Sequence, residues 1–301
     1  MIWWRRPYHV ETKSQGFRSA EEPDPAARRI VAIGDSITFG PYVASEDTWP
    51  AWTQSELRRL PDARPVQVFN GGVSGYTMAD ELAWLRDKGV ALKPDLLVLC
   101  AFENDINDYR RVLGGRATRV SGTQADGTST GWMARLRVGL WQNSALYNVA
   151  SSIRRKLLLQ ASGADIRRGE GQQALQRPEP NAEFAIFSAS YARDFRQFAR
   201  VASEAGIPLA VVSIPSFDTI VAAAPATVAP LVAKLTEELG IPFLDLAATF
   251  GEIPDPAQSL YLLQWNEARK SHEGNGHLSR FGNLVAGRAV ARWIADLKPV
   301  R

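Results

Sequence analysis

A serine stands in a Gly-Asp-Ser motif at residues 34–36, directly after a short apolar run at 29–33. In open α/β sheets, ligands bind at the carboxyl ends of the strands, so a reactive group is well placed here. Ser36 would also meet the free backbone N–H groups at the start of a following helix, which bind anions. A serine in this place can equally be a plain helix N-cap, so the motif alone leaves catalysis and capping open.

Three further segments carry residue types that suit acyl chemistry. Gly75 lies in the glycine-rich segment 70–77, and a glycine lets a backbone N–H approach a reacting oxygen closely. Asn104 follows a later apolar run, and its amide can donate to a developing oxyanion. His277 precedes the last predicted helix and can act as a general base. Taken singly, these residues also fit an ordinary turn, an Asx turn and a surface loop.

In this order, the four segments resemble the SGNH (GDSL) hydrolase superfamily. That family has a Gly-Asp-Ser motif with the nucleophile, then a glycine, an asparagine and a late histidine, which correspond here to Ser36, Gly75, Asn104 and His277. The resemblance extends over 29–297, and residues 14–18 are similar to a lead-in of bacterial members. Thr38 stands where the second glycine of the α/β-hydrolase elbow belongs, which separates the motif from that fold.

The resemblance implies acyl-ester hydrolysis by a Ser-His mechanism. Ser36 would be the nucleophile, and His277 would take its proton. The N–H groups of Ser36 and Gly75 and the side chain of Asn104 would form the oxyanion hole. The resemblance also implies that the enzyme uses neither a metal nor an organic cofactor.

The segment before His277 departs from the family pattern. Family members usually have an aspartate two or three residues before the histidine, which orients the imidazole, whereas this chain has Gly274 and Asn275 there. Asn275 can accept from an imidazole N–H through its amide oxygen, but it supplies no negative charge. Asn275 is therefore one candidate for orienting His277, and Glu273, a backbone carbonyl or Asp245 are the alternatives.

Short apolar segments alternate with helical segments along the chain. We predict strands at 29–33, 66–69, 95–102, 208–215 and 241–246. We predict helices at 48–60, 77–88, 183–205, 227–239 and 280–297. This alternation is typical of a parallel sheet covered on both faces. The predicted fold class is therefore α/β, a three-layer α/β/α, flavodoxin-like SGNH hydrolase fold with a five-stranded parallel sheet.

Two segments lie outside this alternation. Residues 1–28 are polar, contain three prolines and are predicted as an N-terminal arm of a hydrolase domain at 29–301. Residues 107–182 form a long insertion after the third strand, where twelve Arg and Lys against five Asp and Glu leave a net charge of +7. We interpret this basic insertion as a lid or a substrate-recognition segment, with a solvated Arg-rich face as the simpler alternative.

The composition narrows the function classes. The chain has 301 residues, of which 45% are hydrophobic and 22% charged, as in ordinary globular proteins. A single cysteine excludes an internal disulfide, and the spacing of His272 and His277 does not fit a helical zinc motif. The net charge of +3 is too small to indicate a nucleic-acid partner.

Neither a transmembrane span nor a signal peptide is recognisable in the sequence. No apolar run reaches the roughly 18 residues of a transmembrane span. The first residues lack the apolar stretch of a signal peptide. The sequence as it stands therefore predicts a cytoplasmic protein, or an extracytoplasmic one if a targeting segment is missing.

Among the ester hydrolases, we expect removal of a small O-acyl group, which we take to be acetyl, from a carbohydrate or a similar polar carrier. A lysophospholipase or lipase, an O-acyltransferase, and a non-catalytic binding module with the same fold are the alternatives. Asn275 keeps the binding module open, whereas the joint presence of the serine, glycine, asparagine and histidine favours an enzyme. Acyl length, the alcohol and the oligomeric state stay open.

Overall fold

The computed structural model describes residues 10–13, 16–19, 21–60, 65–106, 182–266 and 271–297. The central strands are β1 (Arg28–Ile33), β2 (Val66–Asn70), β3 (Leu96–Ala101), β4 (Leu209–Ser213) and β5 (Phe243–Asp245). They form one parallel sheet in the order β2-β1-β3-β4-β5. This is the strand order of flavodoxin-like proteins, so the predicted fold class is confirmed.

The strands form where the sequence has short, fully apolar runs. All residues of β2, β3 and β4 are buried, whereas the edge strand β5 is only partly buried. Strands that are covered on both faces need apolar side chains at every position, so they show no alternation. All five predicted strands are present, with ends that differ by one or two residues.

The described helices are α1 (Ser36–Phe39), α2 (Trp49–Leu57), α3 (Met78–Trp84), α4 (Ala182–Glu204), α5 (Phe217–Val221), α6 (Val228–Leu239), α7 (Ala247–Gly251), α8 (Pro256–Leu260) and α9 (Arg280–Asp296). Side chains of α2 and α9, among them Trp49 and Val290, share one apolar core with alternate strand residues such as Ile30 and Val98. On the other face of the sheet, α6 contacts β3 and β4, and α4 packs against both α3 and α6.

A two-stranded antiparallel hairpin lies outside the central sheet and was not predicted. It consists of β6 (Tyr261–Asn266) and β7 (Ser271–Leu278), and it leads directly into α9. The sequence pattern predicts a loop here, because Gly274, Asn275 and Gly276 are poor strand formers. The hairpin therefore arises from cross-strand pairing and packing rather than from local preference.

The described part of the arm lies along the end of β2. The N–H of Arg18 donates to the carbonyl of Asn70 at 3.1 Å. The ring of Phe17, which is 4% exposed, packs against Phe69 at 5.1 Å and Trp84 at 6.1 Å between centroids. These contacts bury Phe17 and Arg18 within the compact unit that contains the sheet.

The predicted insertion at 107–182, except for its final residue, lies outside the described residues, as do residues 1–9 of the arm. Its role as a lid or recognition segment therefore stays a prediction. In the ranges that the structure does describe, no helix is both long enough and apolar enough to span a bilayer.

Candidate active site

Ser36 is the first residue of α1, at the carboxyl end of β1. Asp35 is the N-cap of this helix, and its Oδ1 accepts from the N–H of Ile37 at 2.8 Å. Gly40 ends the helix with a φ of 71°, a left-handed conformation that glycine adopts without strain. The short helix thus holds a partly exposed Ser36 at the edge of the sheet.

The loop after β2 packs tightly against α1. A Cβ on Gly72 would lie only 2.2 Å from the backbone N of Phe39, so no other residue type fits there. The N–H of Val73 donates to the carbonyl of Gly34 at 3.0 Å. Gly75, the predicted oxyanion residue, lies in this same loop with a φ of 82°. The segment that carries Gly75 is therefore tied to the turn that carries Ser36.

Asn104 is brought to the same edge of the sheet by the loop after β3. Its Nδ2 donates to the Oδ2 of Asp35 at 2.8 Å. Asp35, 1% exposed, therefore uses one carboxylate oxygen to cap α1 and the other to orient the Asn104 amide. An amide nitrogen carries two N–H groups, and this bond uses one of them.

Glu103, the neighbour of Asn104, anchors this loop to α6. Its Oε2 accepts from the N–H and the hydroxyl of Thr227, at 2.9 and 2.6 Å. Its Oε1 accepts from the N–H of Val228 at 3.2 Å. Thr227 is the N-cap of α6 but its own side chain makes no cap hydrogen bond, so the Glu103 carboxylate caps the helix from outside.

His277, on β7 of the hairpin, meets Ser36 at the start of α1. Its Nε2 lies 3.1 Å from Ser36 Oγ, which is hydrogen-bond distance. The ring of Tyr42 packs edge-on against the imidazole, with 5.5 Å between the centroids and 76° between the planes. Nothing in the sequence marks Tyr42 as a site residue. The structure thus brings the predicted nucleophile and the predicted base together and adds an aromatic neighbour.

The side chain of Asn275, one of the candidates for orienting His277, makes its hydrogen bond to the backbone instead of the imidazole. Its Oδ1 accepts from the backbone N–H of His277 at 3.0 Å, an Asx-type bond to its own loop. Asp245, one of the alternatives, accepts instead from the N–H of Ala247 at the start of α7. Within the described residues, the buried Nδ1 of His277 has no hydrogen-bond partner.

The position three residues before His277 has no room for a side chain. A Cβ on Gly274 would lie 2.4 Å from Cγ of Phe217, and no real Cβ contact is that short. Phe217 stands at the start of α5 and packs edge-on against Tyr261, at 5.5 Å between centroids. The ring of Phe217 therefore occupies the space that an acidic side chain at 274 would require.

Burial and charge act on His277 in opposite directions. Burial lowers the pKa of the imidazole below its ordinary value, and the negative charge of Asp35 offsets part of that effect. Burial raises the pKa of Asp35, whereas hydrogen bonds from Ile37 and Asn104 lower it. A histidine with a lowered pKa is neutral near pH 7, which is the form that can accept a proton from serine.

A separate cavity of about 670 Å³ lies beside the arm. Its lining includes Phe17, Phe39 and Trp84, together with part of the loop after β2. Neither Ser36 nor His277 lines it, so it is distinct from the space above the Ser-His pair.

The arrangement resembles that of solved esterases in its fold. An acetylxylan esterase from Geobacillus stearothermophilus is 17% identical, with a TM-score of 0.50, over 92% of this chain and 98% of that one. A catalytic mutant of the same enzyme is 16% identical over the same shares, with a TM-score of 0.51. Identities this low show a common fold.

Sequence relatives point in the same direction. An arylesterase from Vibrio mimicus is 31% identical over 80 residues, which are 27% of this chain and 39% of that protein. This match thus spans about two fifths of the length of the curated relative. The model of the GDSL-like lipase/acylhydrolase family matches residues 32–267, more than half of the chain. The protein therefore belongs to the GDSL-like lipase/acylhydrolase family.

Proposed function

We propose that this protein is a serine ester hydrolase in which Ser36 is the nucleophile and His277 the general base and acid. The observation that carries the proposal is the 3.1 Å contact between Ser36 Oγ and His277 Nε2. A serine hydroxyl is a weak nucleophile until an adjacent base takes its proton. The lowered pKa of His277 supports this role, because the neutral imidazole is the proton acceptor.

In the first half of the reaction, Ser36 Oγ attacks the ester carbonyl carbon while its proton passes to His277 Nε2. The carbonyl oxygen becomes an oxyanion, which the N–H groups of Ser36 and Gly75 and the amide of Asn104 stabilise. When the intermediate collapses, the bond to the alcohol oxygen breaks. The leaving alcohol takes the proton from Nε2, and the acyl group remains on Ser36.

In the second half, water attacks the acyl-Ser36 ester. His277 Nε2 takes a proton from the water, the same donors hold the new oxyanion, and the bond between the acyl carbon and Ser36 Oγ breaks. The proton on Nε2 returns to Ser36, and the carboxylic acid leaves. The side chains in this cycle end as they began, so the scheme consumes only the ester and water.

For the substrate, we propose an acetyl ester of a carbohydrate or of a similar polar carrier. The fold is shared with acetylxylan esterases, whose names give acetylated xylan as their substrate. A lipase, the alternative, would instead need room for a long acyl chain beside Ser36.

Turnover of a p-nitrophenyl acyl series tests both parts of the proposal. We expect hydrolysis that falls as the acyl chain lengthens, and release of acetate from an acetylated xylo-oligosaccharide. Ser36→Ala should abolish turnover, whereas Ser203→Ala, at an exposed position of α4, should not change it. Equal rates for wild type and Ser36→Ala would refute the nucleophile, and a preference for long acyl chains would refute the acetyl substrate.

A further inference from the structure

Tyr42 has a backbone conformation that its residue type disfavours. It lies between α1 and the short 3₁₀ turn Ser45–Asp47, with a φ of 72°. For an L-residue with a side chain this left-handed conformation is strained, whereas glycine adopts it freely. Such a conformation persists only where the surrounding structure enforces it, and it is frequent at functional sites.

Arg18 enforces the conformation of this loop. Its guanidinium donates to the carbonyls of Phe39 and Gly40, each at 2.5 Å, and to the carbonyl of Val43. These carbonyls flank Tyr42 on both sides. The Arg18 side chain is itself buried, and the arm that carries it is bonded to the end of β2. Tyr42 is thus held from outside its own loop.

The ring of Tyr42 packs against the imidazole of His277. The two rings meet edge-on at 5.5 Å, a favoured geometry for aromatic pairs. In a Ser-His-Asp triad, a carboxylate at Nδ1 sets the plane of the imidazole. Here Nδ1 has no partner within the described residues, and Phe217 excludes a side chain at position 274. The Tyr42 ring packs edge-on against the imidazole, and such a contact can restrain the plane of the imidazole.

We propose that Tyr42 is the positioning residue for His277: its ring holds the imidazole so that Nε2 stays on Ser36 Oγ, and Arg18 holds Tyr42 in place. The inference rests on the proposed function, because it assigns an orienting partner to the base of that mechanism. It explains why a strained tyrosine occupies a position where glycine would fit without strain. The ring, and not the hydroxyl, is the part that acts on His277.

Tyr42→Gly separates positioning from stability. Glycine relieves the backbone strain, so we expect the melting temperature to stay level or rise, while kcat on p-nitrophenyl acetate falls about 10- to 100-fold, as for a misplaced catalytic group. KM should change far less than kcat. Tyr42→Phe keeps the ring and should restore most of the activity. An unchanged kcat in Tyr42→Gly would overturn the inference, as would a fall of kcat that merely follows a loss of folded protein.

Lys93→Gly is the matched control. Lys93 is exposed, also has a positive φ, of 46°, and stands before β3, at the end of the sheet away from Ser36. The Lys93→Gly substitution relieves the same kind of backbone strain at a position that does not contact His277, so kcat should stay at the wild-type value. Equal losses of kcat in Tyr42→Gly and Lys93→Gly would show that backbone freedom, not the ring, is responsible, and would overturn the inference.

An NMR titration of His277 in both variants supplies a readout that does not depend on turnover. Removing the Tyr42 ring uncovers the imidazole, so its pKa should rise towards the ordinary value of 6.5. Asp35, the carboxylate whose charge acts on the imidazole, stays in place in both variants. An unchanged His277 pKa in Tyr42→Gly would contradict the inference. If Ser36→Ala kept full turnover, the proposed function would fail, while this titration would still report whether Tyr42 holds His277.

Discussion

Replacing Gly274 by alanine should destabilise the protein, because Phe217 fills the space beside it. The new Cβ would lie 2.4, 2.6 and 2.7 Å from Cγ, Cβ and Cδ2 of Phe217, whereas carbon atoms pack at about 3.5–4.0 Å. Phe217 is restrained in turn by Tyr261, whose hydroxyl donates to the carbonyls of Pro215 and Ser216 at 3.0 and 3.1 Å. Overpacking of this kind costs about 1–3 kcal/mol.

Urea denaturation of four proteins measures this cost as a coupling. The proteins are the wild type, Gly274→Ala, Phe217→Gly and the double variant. Glycine at 217 removes the ring and the Cβ, and with them the three atoms nearest to the added methyl group, so the cost of Gly274→Ala should fall sharply in the Phe217→Gly background. The coupling free energy should therefore be about 1–3 kcal/mol, well above the few tenths expected for independent sites.

Gly251→Ala provides the reference for this cycle. A Cβ on Gly251, at the end of α7, would meet no atom within 4 Å, so this change should leave stability level or raise it slightly. Since Gly274 does not have a positive φ, a loss of stability there comes from the contact and not from the backbone. Additive effects of Gly274→Ala and Phe217→Gly would refute the steric account of why an aspartate is absent from position 274.

Two further predictions concern the reaction itself. The pH profile of kcat/KM should have its acidic midpoint below 6.5, because only neutral His277 accepts the proton and burial lowers the pKa of His277. The negative charge of Asp35 raises the pKa of His277, so Asp35→Asn should move the midpoint to a still lower pH. A midpoint above 6.5 would indicate a carboxylate on the imidazole. Asn104→Ala should lower kcat about 10²- to 10³-fold with a smaller effect on KM, as for the loss of one oxyanion donor. Stopped-flow or steady-state turnover of p-nitrophenyl acetate measures this loss. A wild-type kcat in the variant would show that Asn104 is not an oxyanion donor.

The central sheet was predictable because its signal is local. Buried parallel strands such as β3 and β4 need apolar residues at every position, and their runs end at polar residues or turns. The hairpin gives no such signal. Phe217, which is distant in sequence, fills the space that a side chain at Gly274 would need. Gly276 has a φ of 86°, a left-handed conformation that favours glycine. Long-range packing therefore overrides the local preference of this segment, and only the structure reveals it.

The candidate site likewise contains residues that the sequence predicts and residues that only the structure reveals. Ser36 and Asn104 are recognisable because each directly follows a strand, and the strand ends converge. The sequence also shows that His277 lacks its usual aspartate, but not what takes its place. The amide oxygen of Asn275 accepts from a nearer donor, the backbone N–H of His277, and the residue type alone does not show which donor it binds. Tyr42 owes its position to the carbonyls that Arg18 binds, and no spacing rule connects those residues.

The distance along the chain between the proposed nucleophile and the proposed base has a consequence for biosynthesis. Ser36 and His277 are 241 residues apart, and a ribosome adds about 5–20 residues per second, so the serine precedes the histidine by roughly 10–50 s. During that time the hydroxyl has no base and is a weak nucleophile. By the proposed mechanism, a growing chain therefore cannot cleave esters until β7 has emerged and docked. A translation product that stops before the hairpin carries the serine motif without its chemistry.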